Sequence, residues 1–89
     1  MKIPKNWKLV DHNKSHEMKW LSSDNIAVRY DDYGGAGLVY DHTIFRGDPV
    51  YSEHDKKIIH KYTVLKNFKT KSAAMRFASK YMKEHGGKI

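Results

Sequence analysis

The sequence predicts a small α+β domain in which an antiparallel sheet of three to four strands packs against one C-terminal amphipathic helix. Short segments of alternating apolar and polar residues recur between residues 16 and 65, as in half-buried strands. Clusters of Ser, Asp, Asn and Gly separate these segments, which favours hairpins over long crossover connections. Apolar residues at helical spacing then occupy residues 71–85.

Size and composition are consistent with one self-sufficient domain of 89 residues. Two Trp, three Phe and six Tyr residues supply large apolar side chains, and the absence of Cys excludes disulfides and thiolate metal sites. The N-terminal residues lack the apolar stretch of a secretory signal, and no window approaches the roughly 18 apolar residues of a membrane span. We therefore expect a cytoplasmic domain with no membrane contact.

The first half of the chain predicts an arm followed by two strands. Residues 1–15 are interrupted by Pro, Asn and Ser, so we expect a loosely ordered arm or short strand held by Trp7, with the single α+β domain spanning 16–89. Residues 16–21 form a strand-like segment, and residues 22–25 are a turn cluster. In residues 26–30 the apolar side chains alternate with Arg29, which predicts a second strand with Arg29 on its polar face.

The middle of the chain predicts a glycine turn, a third strand and a loop. Residues 32–37 contain three glycines, which supply the positive φ of a tight turn. Residues 38–45 return as a strand. Gly and Pro in residues 47–49 are expected to end it, so that residues 50–56 form an exposed loop.

Residues 57–65 are rich in β-branched side chains and predict the last strand. Ile58, Tyr62 and Val64 share one face, which we expect to lie beneath the helix. Lys57 and Lys61 would then point outward on the other face, together with Thr63 and beside Arg29.

The C-terminal helix is predicted from its apolar stripe and from its ends. Apolar residues at positions 74, 77, 78, 81 and 82 follow the i, i+3, i+4 spacing of an amphipathic helix. Thr70 is a suitable N-cap, and the glycines at 86 and 87 are typical of a helix end.

Charge is segregated along the chain. Of the seventeen Lys and Arg residues, ten lie in residues 56–89 with Glu84 as the single acid there, whereas residues 21–55 carry an excess of acids. A concentrated basic block attracts polyanions more effectively than scattered charge does. We therefore expect a small non-catalytic nucleic-acid-binding module, acting on DNA rather than RNA. The predicted contact residues are Arg29, Lys57, Lys61, Lys69, Lys71, Arg76 and Lys80, and Tyr33 could stack on a base.

Two architectural resemblances point in the same direction. Three strands followed by a helix resemble the small DNA-binding domains at the N-termini of some phage-type integrases. The strand-to-helix end, with Lys69, Lys71 and Ala74, resembles a double-stranded RNA-binding domain, although residues 4–15 do not supply that family's N-terminal helix. Neither resemblance includes a diagnostic motif, so the sequence assigns no family.

Other functional classes are weighed against this prediction. A protein-interaction module or homodimer, such as an accessory or inhibitor protein of a phage or other mobile element, fits the same length and charge and could meet an acidic partner. His12 with His16, and Asp41–His42 with His54–Asp55, do not form a metal-binding pattern by themselves. No nucleophile motif is present, and a Mg²⁺-dependent nuclease would use paired acids such as Asp31, Asp32, Asp41 and Asp48, which lie in or beside predicted turns. We expect no enzyme activity, no cofactor and no metal.

Overall fold

The computed structural model describes residues 3–13, 17–32 and 42–85 and shows an α+β fold. One antiparallel sheet has the strand order β1-β2-β3-β4-β5, and a single helix follows the last strand. The elements are β1 (Trp7–Asn13), β2 (Glu17–Ser22), β3 (Ala27–Asp31), β4 (His42–Ser52), β5 (Lys57–Phe68) and α1 (Lys71–His85). The predicted fold class is confirmed, and the fifth strand, one more than predicted, is β1 in the N-terminal segment.

The predicted turn between the first two strands of the domain is confirmed at residues 22–25. The Ser22 hydroxyl accepts hydrogen bonds from the backbone N–H groups of Asp24 and Ile26 at 3.2 and 3.1 Å. Asn25 adopts a left-handed conformation with φ of 67°, which Asn tolerates better than most residues do. The Ser22 side chain therefore stabilises this turn by bonding nearby backbone groups, as the sequence predicts.

The predicted break at residues 47–49 is wrong, and the loop predicted at 50–56 is confined to residues 53–56. Strand β4 continues through Gly47 and Pro49 to Ser52, and the reversal occurs at residues 53–56, where Lys56 has φ of 54°. β3 pairs with β4 as far as Ala27 opposite Gly47, and beyond that point β4 pairs with β5 alone. Pro49 is tolerated because the side of β4 away from β5 has no neighbouring strand there to accept an N–H bond.

The core lies between one face of the sheet and α1. Four strand residues are fully buried there, and α1 contributes three buried residues from its predicted stripe, with Phe77 and Tyr81 half-buried beside them. The buried residues are Trp20, Val28, Tyr30 and Ile44 from the sheet and Ala74, Ala78 and Met82 from α1; Trp7 also belongs to this cluster. The Thr70 hydroxyl accepts a hydrogen bond from the Ala73 N–H at 3.2 Å, so the predicted cap is confirmed.

The prediction that Ile58, Tyr62 and Val64 lie beneath the helix is wrong. Tyr62 pairs with Gly47, and its ring lies on the sheet face away from α1, beside Arg29. Leu65 joins the core instead, because it shares the opposite face of β5 with Thr63, which pairs with Arg46 next to the helix. Apart from Asp32, the glycine turn predicted at residues 32–37 lies outside the described part of the chain, as does the helix end predicted at residues 86–87. No helix of the described chain is long and apolar enough to cross a membrane.

Gly47 should be required for the packing of Tyr62 against the sheet. A Cβ atom at this position would lie 2.7 Å from Tyr62 Cε1 and 3.1 Å from the Cβ atoms of Ala27 and His60. We expect Gly47→Ala to lower the free energy of unfolding by about 1–3 kcal/mol. Urea denaturation measures this, with Pro49→Ala on the same strand face as the control.

A Tyr62→Ala background tests the proposed cause. Because the closest clash is then gone, Gly47→Ala should cost less in that background than in the wild type. Equal costs in the two backgrounds would contradict the role of the ring.

Candidate nucleic-acid interface

The two faces of the sheet differ in what covers them. We call the side that carries α1 the helix side and the opposite sheet surface the far face. The guanidinium of Arg46 donates a hydrogen bond to the Tyr81 hydroxyl at 2.8 Å, so Arg46 lies on the helix side. Alternate residues of a strand share a face, and directly paired residues on neighbouring strands also do. The side-chain contacts and the pairing register together therefore assign each charged strand residue to one side.

The helix side is strongly basic. In the register of β4 and β5, Lys61 lies opposite Asp48, Lys57 lies opposite Ser52, and Lys66 lies opposite the buried Ile44. Among the described strand and helix residues, this side carries eight basic side chains and two acidic ones. They are Arg46, Lys57, Lys61, Lys66, Lys71, Arg76, Lys80 and Lys83, with Asp48 and Glu84.

The far face has balanced charge. Arg29 Nη2 lies 2.9 Å from Glu17 Oε1 and 3.3 Å from Asp31 Oδ2, and its guanidinium carbon lies 5.6 Å from the centre of the Tyr62 ring. Lys19 Nζ lies 6.0 Å from the same ring. In the described strands this face carries three bases and three acids, namely Lys8, Lys19, Arg29, Asp11, Glu17 and Asp31. Its charges therefore largely neutralise one another.

The structure places six of the seven predicted contact residues on or beside the helix side. Lys57 and Lys61 are exposed on β5, whereas Arg76 and Lys80 are exposed on α1 and one turn apart. The other two, Lys69 and Lys71, lie at the start of α1, with Lys71 Nζ 5.7 Å from the centre of the Tyr30 ring.

Arg29 is separated from this group, because it occupies the far face. The expectation that Lys57 and Lys61 lie beside Arg29 is therefore wrong. It followed from assigning the wrong face of β5 to the core.

The predicted contact set leaves out Lys83 of α1 and two basic strand residues of the helix side, Arg46 and Lys66. Strict alternation from Tyr62 and Val64 would put Lys66 on the far face, but the bulge at Leu65 moves it to the helix side. Arg46 could not be assigned to a side of the sheet from the sequence, because its contact with Tyr81 was not known. Hydrogen bonds to the Tyr81 hydroxyl and then to Asp48 raise the pKa of its guanidinium, so Arg46 stays charged but is engaged within the protein.

Of the acids considered for Mg²⁺ binding, the described Asp31 and Asp48 lie on opposite sides of the sheet. Asp31 contacts Arg29 on the far face, whereas Asp48 Oδ1 accepts a hydrogen bond from Arg46 Nε at 2.9 Å on the helix side. No three His, Asp or Glu side chains within the described ranges are grouped closely enough to hold a metal ion. Tyr33, Asp41 and His16 lie outside those ranges, as does the side chain of His12.

Arg29 should stabilise the fold through its two carboxylate partners. We expect Arg29→Gln to lower the free energy of unfolding by about 1 kcal/mol, because Glu17 and Asp31 lose the cation they share. Urea denaturation at low salt measures the loss, which should shrink at high salt as the charges are screened. Lys8→Gln, an exposed change on the same face, is the control, and equal stability of the two variants would contradict this role.

Comparison with known proteins gives no relative from which a site could be transferred. No protein-family model matches the chain, and searches of curated proteins and of solved structures found no significant match. The functional argument therefore depends on the charges, contacts and exposed surfaces of this chain.

Proposed function

We propose that the protein is a small non-catalytic nucleic-acid-binding module that contacts phosphates through its helix side. The observation that supports this most directly is the difference in charge between the two sides of the sheet. Eight basic residues face two acids on the helix side of the described chain, while the far face is balanced. Such a one-sided field attracts a polyanion and orients it on one surface.

Four exposed cations on the helix side are available to a partner. Arg29 and Arg46 are engaged in ion pairs at 2.9 Å. By contrast, no ion pair within the described residues involves Lys57, Lys61, Arg76 or Lys80. Arg76 and Lys80 lie four residues apart on α1 and repel each other, a small cost that a bound phosphate would remove. These four residues are therefore our candidates for phosphate contacts.

DNA is the favoured ligand, and the cytoplasm is the expected site of action. Basic side chains on β5 and α1 that contact phosphates would position the protein on a nucleic acid, but they would not read its sequence. Specificity then requires groups that reach base edges, and the major groove of B-form DNA is accessible to protein elements. The corresponding groove of A-form RNA is deep and narrow, which makes duplex RNA the weaker candidate.

A protein-interaction module remains the second candidate because the structure exposes apolar side chains. Val50, Tyr51, Ile58 and Ile59 are all exposed near the β4–β5 turn. Exposed apolar residues in one region are typical of interaction surfaces. An apolar protein interface should respond little to salt, whereas phosphate binding weakens steeply as salt rises.

Charge removal on the helix side should weaken nucleic-acid binding and its salt dependence. Fluorescence anisotropy of labelled duplex DNA, single-stranded DNA and duplex RNA should show tightest binding to duplex DNA. For Lys57→Gln with Lys61→Gln, the slope of log affinity against log salt should fall by about two, since each phosphate contact contributes about 0.9.

The matched control removes the same charge from the far face, through Lys8→Gln with Lys19→Gln. Its salt slope should equal that of the wild type. Equal losses in both double variants would assign the effect to net charge alone, and wild-type binding to none of the three ligands would overturn the proposed function.

A further inference from the structure

The end of the β4–β5 hairpin extends beyond the rest of the sheet. Pairing between β3 and β4 stops at Ala27 opposite Gly47, whereas β4 and β5 stay paired out to Ser52 opposite Lys57. We call residues 48–61 the β4–β5 arm. In the described chain, no third strand pairs with either edge of the arm. Its five pairs beyond Gly47 correspond to a ribbon about 16 Å long, at about 3.3 Å per residue.

The arm carries one exposed apolar pair on each of its faces. Val50 pairs with Ile59 on the helix side, with 43% and 39% of their surfaces exposed. Tyr51 pairs with Ile58 on the far face, with 60% and 53% exposed. A two-stranded ribbon has no layer of its own to cover such pairs, so a partner that buries them gains apolar contact area.

The base of the arm is fixed to the domain by side-chain contacts on both faces. A ring nitrogen of His60, Nε2, lies 2.8 Å from the carbonyl oxygen of Asn25 in the β2–β3 turn. On the other face Arg46 bonds both Asp48 and Tyr81, which connects the arm to α1. The direction of the arm is thus set before any partner binds, which lowers the entropy cost of docking it.

The charges around the helix-side pair favour a nucleic acid over a second apolar surface. Lys57 and Lys61 lie two residues to either side of Ile59 and share its face. The acid on this face, Asp48, is paired with Arg46 at 2.9 Å. At the tip, Asp55 is held by Ser52, whose hydroxyl donates to the carboxylate at 3.2 Å. An apolar centre with an unpaired lysine on each side complements base edges flanked by phosphates.

The dimensions of the arm also match the major groove of duplex DNA. That groove is about 12 Å wide and about 8.5 Å deep, and it accepts a two-stranded ribbon. Two paired strands lie about 4.8 Å apart, so the ribbon fits between the phosphate rims with its side chains reaching the floor. Apolar side chains there can contact the methyl groups of thymine.

We propose that the helix-side face of the β4–β5 arm docks into the major groove of duplex DNA. Val50 and Ile59 contact base edges, and Lys57 and Lys61 contact the phosphates on either side. The proposal rests on the proposed function and adds to it the form of nucleic acid and the element that reads it.

The arm supplies its own matched control. Val50→Thr with Ile59→Thr keeps β-branched residues in the strands but removes apolar surface from the helix side. Tyr51→Thr with Ile58→Thr makes the same kind of change on the far face of the same arm. We expect the first pair to weaken binding to duplex DNA about tenfold and to leave the salt slope unchanged, because no cation is removed. The second pair should change the affinity less than twofold.

Measuring wild-type and variant proteins by anisotropy on duplex and single-stranded DNA separates the outcomes. Thermal denaturation checks that both pairs remain folded. Duplex binding by the wild type with equal effects of the two pairs would overturn the arm inference and leave the proposed function standing, as would single-stranded DNA bound as tightly as duplex. Wild-type binding to neither DNA nor RNA would overturn both. A dimer in analytical ultracentrifugation that the Val50→Thr and Ile59→Thr changes dissociate would assign the arm to self-association.

Discussion

Burial of one sheet face beneath α1 is the interaction on which the other features depend. Ala74 and Ala78 are fully buried, and their short side chains let the helix backbone come close to Trp20, Val28 and Ile44. Fully burying a side chain the size of Val or Ile contributes about 1.5–3 kcal/mol, so these few contacts supply much of the stability of a short chain. With a single helix over a five-stranded sheet, the second face has to be stabilised in another way.

The far face is stabilised by contacts among its own side chains. Tyr62 packs over the bare backbone of Gly47, and the guanidinium of Arg29 lies above the same ring. Glu17 and Asp31 neutralise that guanidinium, so the ring is covered by a group whose charge is compensated. This arrangement stabilises the sheet without a second layer, and it engages Arg29 within the protein. The excess of basic residues in the described strands and helix lies on the other side, around α1.

The arm results from unequal strand lengths. β3 has five residues, whereas β4 and β5 have eleven and twelve, so the hairpin continues where the sheet has ended. A ribbon of this kind is normally short of stabilising contacts. Here its base is held to the β2–β3 turn by His60 and to α1 through Arg46. The same contacts that stabilise the fold therefore also hold the base of the arm in place.

Local features of the sequence determined the elements whose causes are local. The stripe from Ala74 to Met82 specified the helix because its 3.6-residue period needs no distant partner, and the Thr70 and Ser22 hydroxyls acted on backbone groups within four residues. The clustering of basic residues in residues 56–89 was likewise evident from the sequence.

Only the tertiary structure decided which side of the sheet those charges occupy. A one-residue shift in register moves every side chain of a strand to the other face of the sheet. The bulge at Leu65 therefore places Lys66 on the helix side. The pairing of Gly47 with Tyr62 places Arg29 and Lys57 on different sides of the sheet. The continuation of β4 through Pro49 was equally hidden, because it depends on the absence of a neighbouring β3 residue at that point. Alternation along one strand cannot contain this information, since register is a property of two strands.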